Sequence, residues 1–298
     1  MTLFAFGLVM LSALLHASWN VLSKGSRPSA SFFMLASMTS VVLWFPVFCY
    51  ADLHLLELPL KFWLIVLISG ASESLYFLGL FKAYRRNDVS LAYPMARALP
   101  VLFVAVVSLT LGLGERPGWL ALFGMVVVTL GCLLLPLASW KSFSWRNYWN
   151  PALYAILMAA VGTTGYTVAD SIAMPVLRAH SVNSGLVISG AYLFMIELLI
   201  SLSLSFYVRR HAEERREFKR LFLKSLNPVI SGLFASSAYM LILIAMNHVS
   251  NVSYIQAFRQ VSLPMGVFFG VFILKEKCTP PRLAGVALVI AGLVLTAI

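Results

Sequence analysis

Apolar residues run along the chain in ten stretches of about 20 residues, each broken from the next by a short polar interruption, which is the length a helix needs to cross a bilayer core. This pattern predicts helices near 3–23, 31–50, 60–83, 89–112, 117–138, 150–172, 183–208, 225–247, 252–273 and 280–298. The first run has no basic residue before it and no small-x-small cleavage site, so it reads as a span rather than a signal peptide. The predicted fold class is an all-α integral membrane protein with ten transmembrane helices.

Composition agrees with that reading. Apolar residues make up 60% of the 298 residues and charged residues only 11%, against about 25% charged in an ordinary soluble domain. No interior of a protein this size hides so many apolar side chains, which excludes a soluble enzyme. Cys49, Cys132 and Cys278 show no CxxC or CxxxH spacing, so neither a disulfide framework nor a zinc site is expected, and no cofactor is implied.

Charge sets an orientation. The connections after helices 1, 3, 5, 7 and 9 carry 17 basic residues, and those after helices 2, 4, 6 and 8 carry three, Lys61, Arg116 and Arg178. The positive-inside rule then places the odd connections in the cytoplasm and both termini outside, in a multi-pass protein of the cell (inner) membrane. The run RRHAEERREFKR from Arg209 to Arg220 interleaves three glutamates among its basic residues. It reads as a solvated cytoplasmic linker, with no nucleic-acid partner expected.

An internal repeat is the most informative feature. Glu115, Gly124 and Gly131 recur at identical spacing as Glu276, Gly285 and Gly292. Upstream, Asp88-Val89-Ser90 and Leu99-Pro100 are echoed by Asn251-Val252-Ser253 and Leu263-Pro264, with one arginine inside each gap. Residues 1–138 and 150–298 thus read as two five-helix units joined by a connecting loop at 139–149. An odd number of spans per unit inverts the second copy, the architecture of carriers that alternate access around a midplane site. The glycine pairs lie on one helix face, suited to close packing within the chain or across a dimer, so monomer and homodimer both stay open.

On these motifs the chain resembles the drug/metabolite transporter superfamily and its EamA-type ten-helix members. The resemblance is carried by ALLHASWNVLSK (Ala13 to Lys24), AYPMARALP (Ala92 to Pro100), LGERPGWLALFG (Leu113 to Gly124) and ILKEKCTPPRLAG (Ile273 to Gly285). It implies a central cavity lined by helices 1, 3, 4, 6, 8 and 9, with helices 5 and 10 peripheral. The His-Ala-Ser-Trp-Asn opening is also similar to a subgroup encoded beside phosphonate-utilisation genes.

Charged side chains near a bilayer centre cost on the order of 3 kcal/mol, so each needs a partner, a wet cavity or a function. Arg97 and Arg259 enter from opposite faces and approach the midplane, where their guanidinium forks suit a carboxylate or phosphonate; the alternative is internal pairing with Glu73 or Asp170. Glu73 shares a helix face with Ser69, Ser72 and Tyr76. It is a candidate for proton coupling, for a fixed salt bridge, or for recognising an amine. His16, Trp19, Asn20 and Ser23 form one polar-aromatic stripe. Tyr93, Tyr166, Gln256 and Gln260 extend the polar walls of the predicted substrate site. Asp170 joins them or lies near a helix end in solvent, and Glu197 has only Ser201 at helical spacing.

The expected function is a secondary active transporter of a small organic metabolite, anionic or zwitterionic, such as an amino acid or aminophosphonate. An exporter of cationic or neutral drugs or metabolites is the first alternative, and an intramembrane enzyme the lesser one. No GxxxxGK[ST] motif encodes an ATP-driven engine, and the scattered histidines lack HExxH, so an enzyme is not expected.

Overall fold

In the computed structural model, described for residues 2–23, 29–86, 89–142, 153–272, 275 and 277–298, the chain is helical, with no strand among the described residues. The side chains of residues 19–23, 84–86, 89–95 and 142 also lie outside the description, and with them those of Trp19, Asn20 and Tyr93. Asp88 and Glu276 of the repeat motifs lie outside the described residues altogether.

The helices are α1 (Leu3–Ser23), α2 (Ala30–Tyr50), α3 (Leu60–Arg86), α4 (Val89–Thr110), α5 (Trp119–Leu134) and α6 (Leu153–Ala179). They continue as α7 (Gly185–Arg210), α8 (Ala212–Lys224), α9 (Asn227–Ala245), α10 (Val252–Phe258), α11 (Ser262–Phe272) and α12 (Pro280–Ala297). Among the described residues, six helical stretches are long and apolar enough to cross a membrane: 30–50, 60–83, 153–179, 185–210, 227–248 and 280–297. Large apolar side chains such as Phe45, Leu67, Leu202 and Val294 are exposed on their outer faces. A water-soluble surface rarely carries so much exposed apolar area, and a lipid-facing one does.

Three local departures from the sequence reading have physical causes. The span expected at 252–273 is broken by a 3₁₀ turn at Arg259–Val261. Pro264 lacks the N–H that would bond the carbonyl of Gln260, and its ring crowds that same carbonyl. Helix α6 runs to Ala179, past the expected end near 172, so Asp170 lies inside a helix and is fully buried. The run expected as a solvated linker folds as the end of α7 and the short helix α8, with Glu214 and Leu221 buried beneath it.

Packing follows a regular pattern. The most extensive pairings are α3 with α6, α5 with α12, α2 with α7 and α1 with α9; α4 packs on α6, and α1 on α11 and the 3₁₀ turn. The small-residue faces explain the closest approaches. A Cβ on Gly131 would sit 2.7 Å from the Val289 nitrogen, and one on Gly292 would sit 2.6 Å from the Val128 nitrogen. Gly124 of α5 likewise meets α12 at Gly292 and Thr296, and Gly285 of α12 meets Gly131 of α5 and Leu135 just past its end. The glycine face read from the repeat is therefore covered inside the chain, between α5 and α12, and is not presented to a second copy.

The loops are tied at one end of the bundle. Gly114, at φ +71°, lets the chain pass against the Ser250 carbonyl, where a Cβ would collide. The Glu115 backbone N–H donates to that carbonyl (2.9 Å), and Asn251 Nδ2 donates to the carbonyls of Leu113 (2.7 Å) and Glu115 (3.1 Å).

Candidate functional site

A cavity opens among α1, α2, α3, α6, α7 and α9, with Arg259 at one side. Of the residues expected from sequence, His16, Glu73, Tyr76, Tyr166 and Arg259 line it. Its aromatic wall comes from Phe32, Phe33 and Phe77, and its small polar groups include Ser12, Ser37 and Ser40. Glu73 is 9% exposed, and its Oε2 is buried without a hydrogen-bond partner. An uncompensated acceptor in such a place carries the full cost of lost hydration until a donor reaches it.

Arg259 is caged by tyrosines. Its guanidinium carbon lies 5.9 Å from the Tyr166 ring centre and 5.4 Å from that of Tyr239. Nη2 donates to the Tyr166 hydroxyl at 3.3 Å, and Nη1 to Gln256 Oε1 at 3.5 Å. The two tyrosine rings meet edge to face at 5.5 Å. This cation–π arrangement favours the cation in a poorly hydrated wall and fixes where its fork points.

Arg97 occupies a different environment, and it is not among the cavity-lining residues. Its Nη2 donates to the Arg259 carbonyl (2.9 Å) and to Ser262 Oγ (3.0 Å), while Nη1 lies 2.9 Å from His16 Nε2. A guanidinium only donates, so His16 Nε2 accepts. The 3₁₀ turn presents the Arg259 carbonyl to a partner outside its own helix, and Arg97 takes it. The two guanidinium groups expected to converge on one anion thus stand in different surroundings here: Arg259 lines the cavity, while the fork of Arg97 bonds protein acceptors. Arg97→Lys is expected to lower stability by about 1–2 kcal/mol, since a point charge cannot serve these acceptors together. A thermal unfolding midpoint equal to wild type in detergent contradicts that assignment. Gln256 and Gln260 also lie behind the wall; Gln260 Nε2 donates to the Gln256 carbonyl at 3.0 Å.

Asp170 is held by hydroxyls. Ser69 Oγ (2.5 Å) and Tyr192 OH (2.6 Å) donate to Oδ1, and Tyr239 OH donates to Oδ2. Four helices, α3, α6, α7 and α9, meet at this one carboxylate, and through Tyr239 it fixes a ring of the Arg259 cage.

Glu197 and Tyr239 are cavity residues to which the sequence reading gave no place in the site. Glu197 lines the cavity, and Ser37 of α2 donates to its Oε2 at 2.5 Å. The signal was present, because an intramembrane carboxylate is itself a site hypothesis, but its partner is on another helix and no spacing links them. Tyr239 sits among serines in α9 and gave no signal of its own.

A helical bundle with an apolar outer surface, and a cavity inside it walled by aromatic, hydroxyl and carboxyl groups, is the architecture of a membrane protein with an internal polar cavity. The chain belongs to the family described as "Sugar transport protein", whose profile matches residues 19–298. That family is one of membrane transporters like those of the drug/metabolite superfamily. A solved chain described only as "Crystal structure of protein" is similar over 98% of this chain and 95% of its own length, with a TM-score of 0.67. At 16% identity, that likeness shows the fold alone. No curated protein matches the chain significantly.

Proposed function

We propose that the protein is an EamA-type secondary transporter of the inner membrane. It moves a small, hydroxyl-rich organic solute by alternating access around this cavity. In this reading residues 1–138 and 150–298 are two inverted five-helix repeats giving ten spans, with 139–149 between them. The packing pattern supports it: exchanging each helix of the first half for its counterpart turns the α3–α6 pairing into α9–α1, and maps α5–α12 and α2–α7 onto themselves.

The observation that carries the substrate reading is Glu73, a cavity-lining residue whose buried Oε2 has no hydrogen-bond partner. A solute hydroxyl supplies the missing donor, and Phe32, Phe33 and Phe77 offer faces for its C–H surface. An anionic cargo fits less well, because Arg259 is the arginine that lines the cavity while two carboxylates, Glu73 and Glu197, share it. The same two carboxylates favour an amine as the second reading. Counterflow in proteoliposomes with monosaccharides, polyols, amines, amino acids and phosphonates tests these alternatives. Exchange of a polyol or monosaccharide is expected; exchange confined to anions or to cations overturns the reading.

Glu73 is also the candidate proton carrier. Glu73→Gln is expected to abolish uptake driven by a pH gradient while leaving exchange at symmetric pH partly intact. Equal loss of both would assign Glu73 to binding alone.

A further inference from the structure

Helix α8 is joined directly to two membrane-spanning helices, α7 and α9, so it lies at a membrane face. Its inner side is fastened. Glu214, 5% exposed, accepts from the Ser31 N–H (3.0 Å) and from Ser31 Oγ (3.0 Å) at the first turn of α2, and its own carbonyl accepts from that hydroxyl at 2.6 Å. A carboxylate at a helix N-terminus satisfies orphan N–H groups and complements the helix dipole. Leu221 is buried on the same side.

Its outer side combines two properties. Arg215, Arg216, Lys219, Arg220 and Lys224 are exposed, and residues 209–224 hold seven basic against three acidic side chains. Arg220 is paired with Glu217 and Arg215 Nη1 donates to the Arg209 carbonyl, which leaves the patch strongly positive. Among these charges Phe222 is 68% and Leu223 77% exposed, and Leu226 follows at 72%. A surface facing only water gains nothing from three large apolar groups standing out of it. At a headgroup layer the same groups enter the acyl boundary while the long basic side chains reach the phosphates.

We infer that α8 docks on the anionic phospholipids of its leaflet and, through the Glu214–Ser31 clasp, ties the start of α2 to that surface. Phe32 and Phe33, the next two residues of α2, line the cavity, so lipid charge and cavity wall are mechanically linked. The inference needs neither the substrate reading nor the orientation, because reconstituted vesicles carry the same lipid in both leaflets.

The test uses the full chain with Leu223→Cys carrying an environment-sensitive fluorophore. Cys49 and Cys278 are replaced by serine; Cys132 is buried. The labelled protein is placed in vesicles of phosphatidylcholine, alone or with about 30% phosphatidylglycerol. The expected result is a blue-shifted emission in the anionic vesicles. The shift should vanish near 1 M salt, where the screening length falls to about 3 Å, and in the variant Arg215→Gln/Arg216→Gln/Lys219→Gln/Arg220→Gln. Should that variant fail to reconstitute, Arg216→Gln/Lys219→Gln decides, with most of the shift lost. Equal emission in the two vesicle types, or a shift that survives the substitutions, overturns the inference and leaves the patch to an acidic protein partner. Glu214→Ala should further raise amide exchange at Ser31 and Phe32 in anionic vesicles; unchanged exchange removes the clasp.

Discussion

Gly131→Ala is expected to destabilise the protein by about 2 kcal/mol, while the same substitution at Gly7 is expected to stabilise it by about 0.5–1 kcal/mol. Both glycines lie within helices, where alanine is intrinsically the better residue because it loses less backbone entropy. Their surroundings differ. Nothing lies within 4 Å of a Cβ on Gly7, whereas a Cβ on Gly131 meets the Val289 nitrogen at 2.7 Å and the Gly285 carbonyl oxygen at 2.9 Å. Those are backbone atoms of α12, which cannot turn aside as a flexible side chain would. The two helices must separate, and over-packing of this kind costs about 1–3 kcal/mol. In a membrane no hydrophobic driving force restores the contact, since lipid tails are as apolar as the helix faces; the lost dispersion contacts are lost outright. Gly131→Leu should cost more again. Thermal unfolding of the purified protein in detergent reads all three variants, and a Gly131→Ala midpoint at or above wild type would show that α5 and α12 are not in this close contact.

That contact also illustrates what the sequence could reveal. The repeated Glu-x₈-Gly-x₆-Gly spacing located the glycine face correctly, because helical periodicity fixes which residues share one side of a helix. It could not say which helix the face meets, and the pairing of α5 with α12 belongs to tertiary structure. The apolar stretches were legible for the same reason. The break at Arg259–Val261 was not legible, because Pro100 holds the matching place to Pro264 in the first copy and α4 runs through it unbroken.

The arginines show where spacing runs out. Arg97 and Arg259 each lie inside the gap of one motif copy and carry the same chemistry, yet one grips backbone behind the wall and the other stands in a tyrosine cage beside the cavity. The difference arises from the turn in the second copy, which supplies a carbonyl for Arg97. Glu197 was hidden for a related reason. Its hydroxyl partner, Ser37, is 160 residues away, and no local pattern reports a contact between helices.

Asp170→Leu is the substitution expected to cost most at the polar centre, about 3 kcal/mol or more. Asp170 is 0% exposed and serves as common acceptor for Ser69, Tyr192 and Tyr239. Leucine fills comparable space but leaves three buried hydroxyls without that acceptor, and each stranded group costs about 1–3 kcal/mol. Asp170→Asn should be milder. Its remaining oxygen keeps Ser69 and Tyr192, while the amide nitrogen faces the Tyr239 hydroxyl, which can rotate to accept from it. Tyr239→Phe removes one donor and should be mildest for stability, because the carboxylate retains two partners. The expected order of unfolding midpoints is therefore wild type, Tyr239→Phe, Asp170→Asn, Asp170→Leu. Transport should follow a different order, because Tyr239 also forms part of the Arg259 cage: losing its hydroxyl frees the ring to move and weakens solute exchange more than it weakens the fold. Two outcomes would refute the assignment: Asp170→Leu unfolding with wild type, or Tyr239→Phe exchanging solute at the wild-type rate.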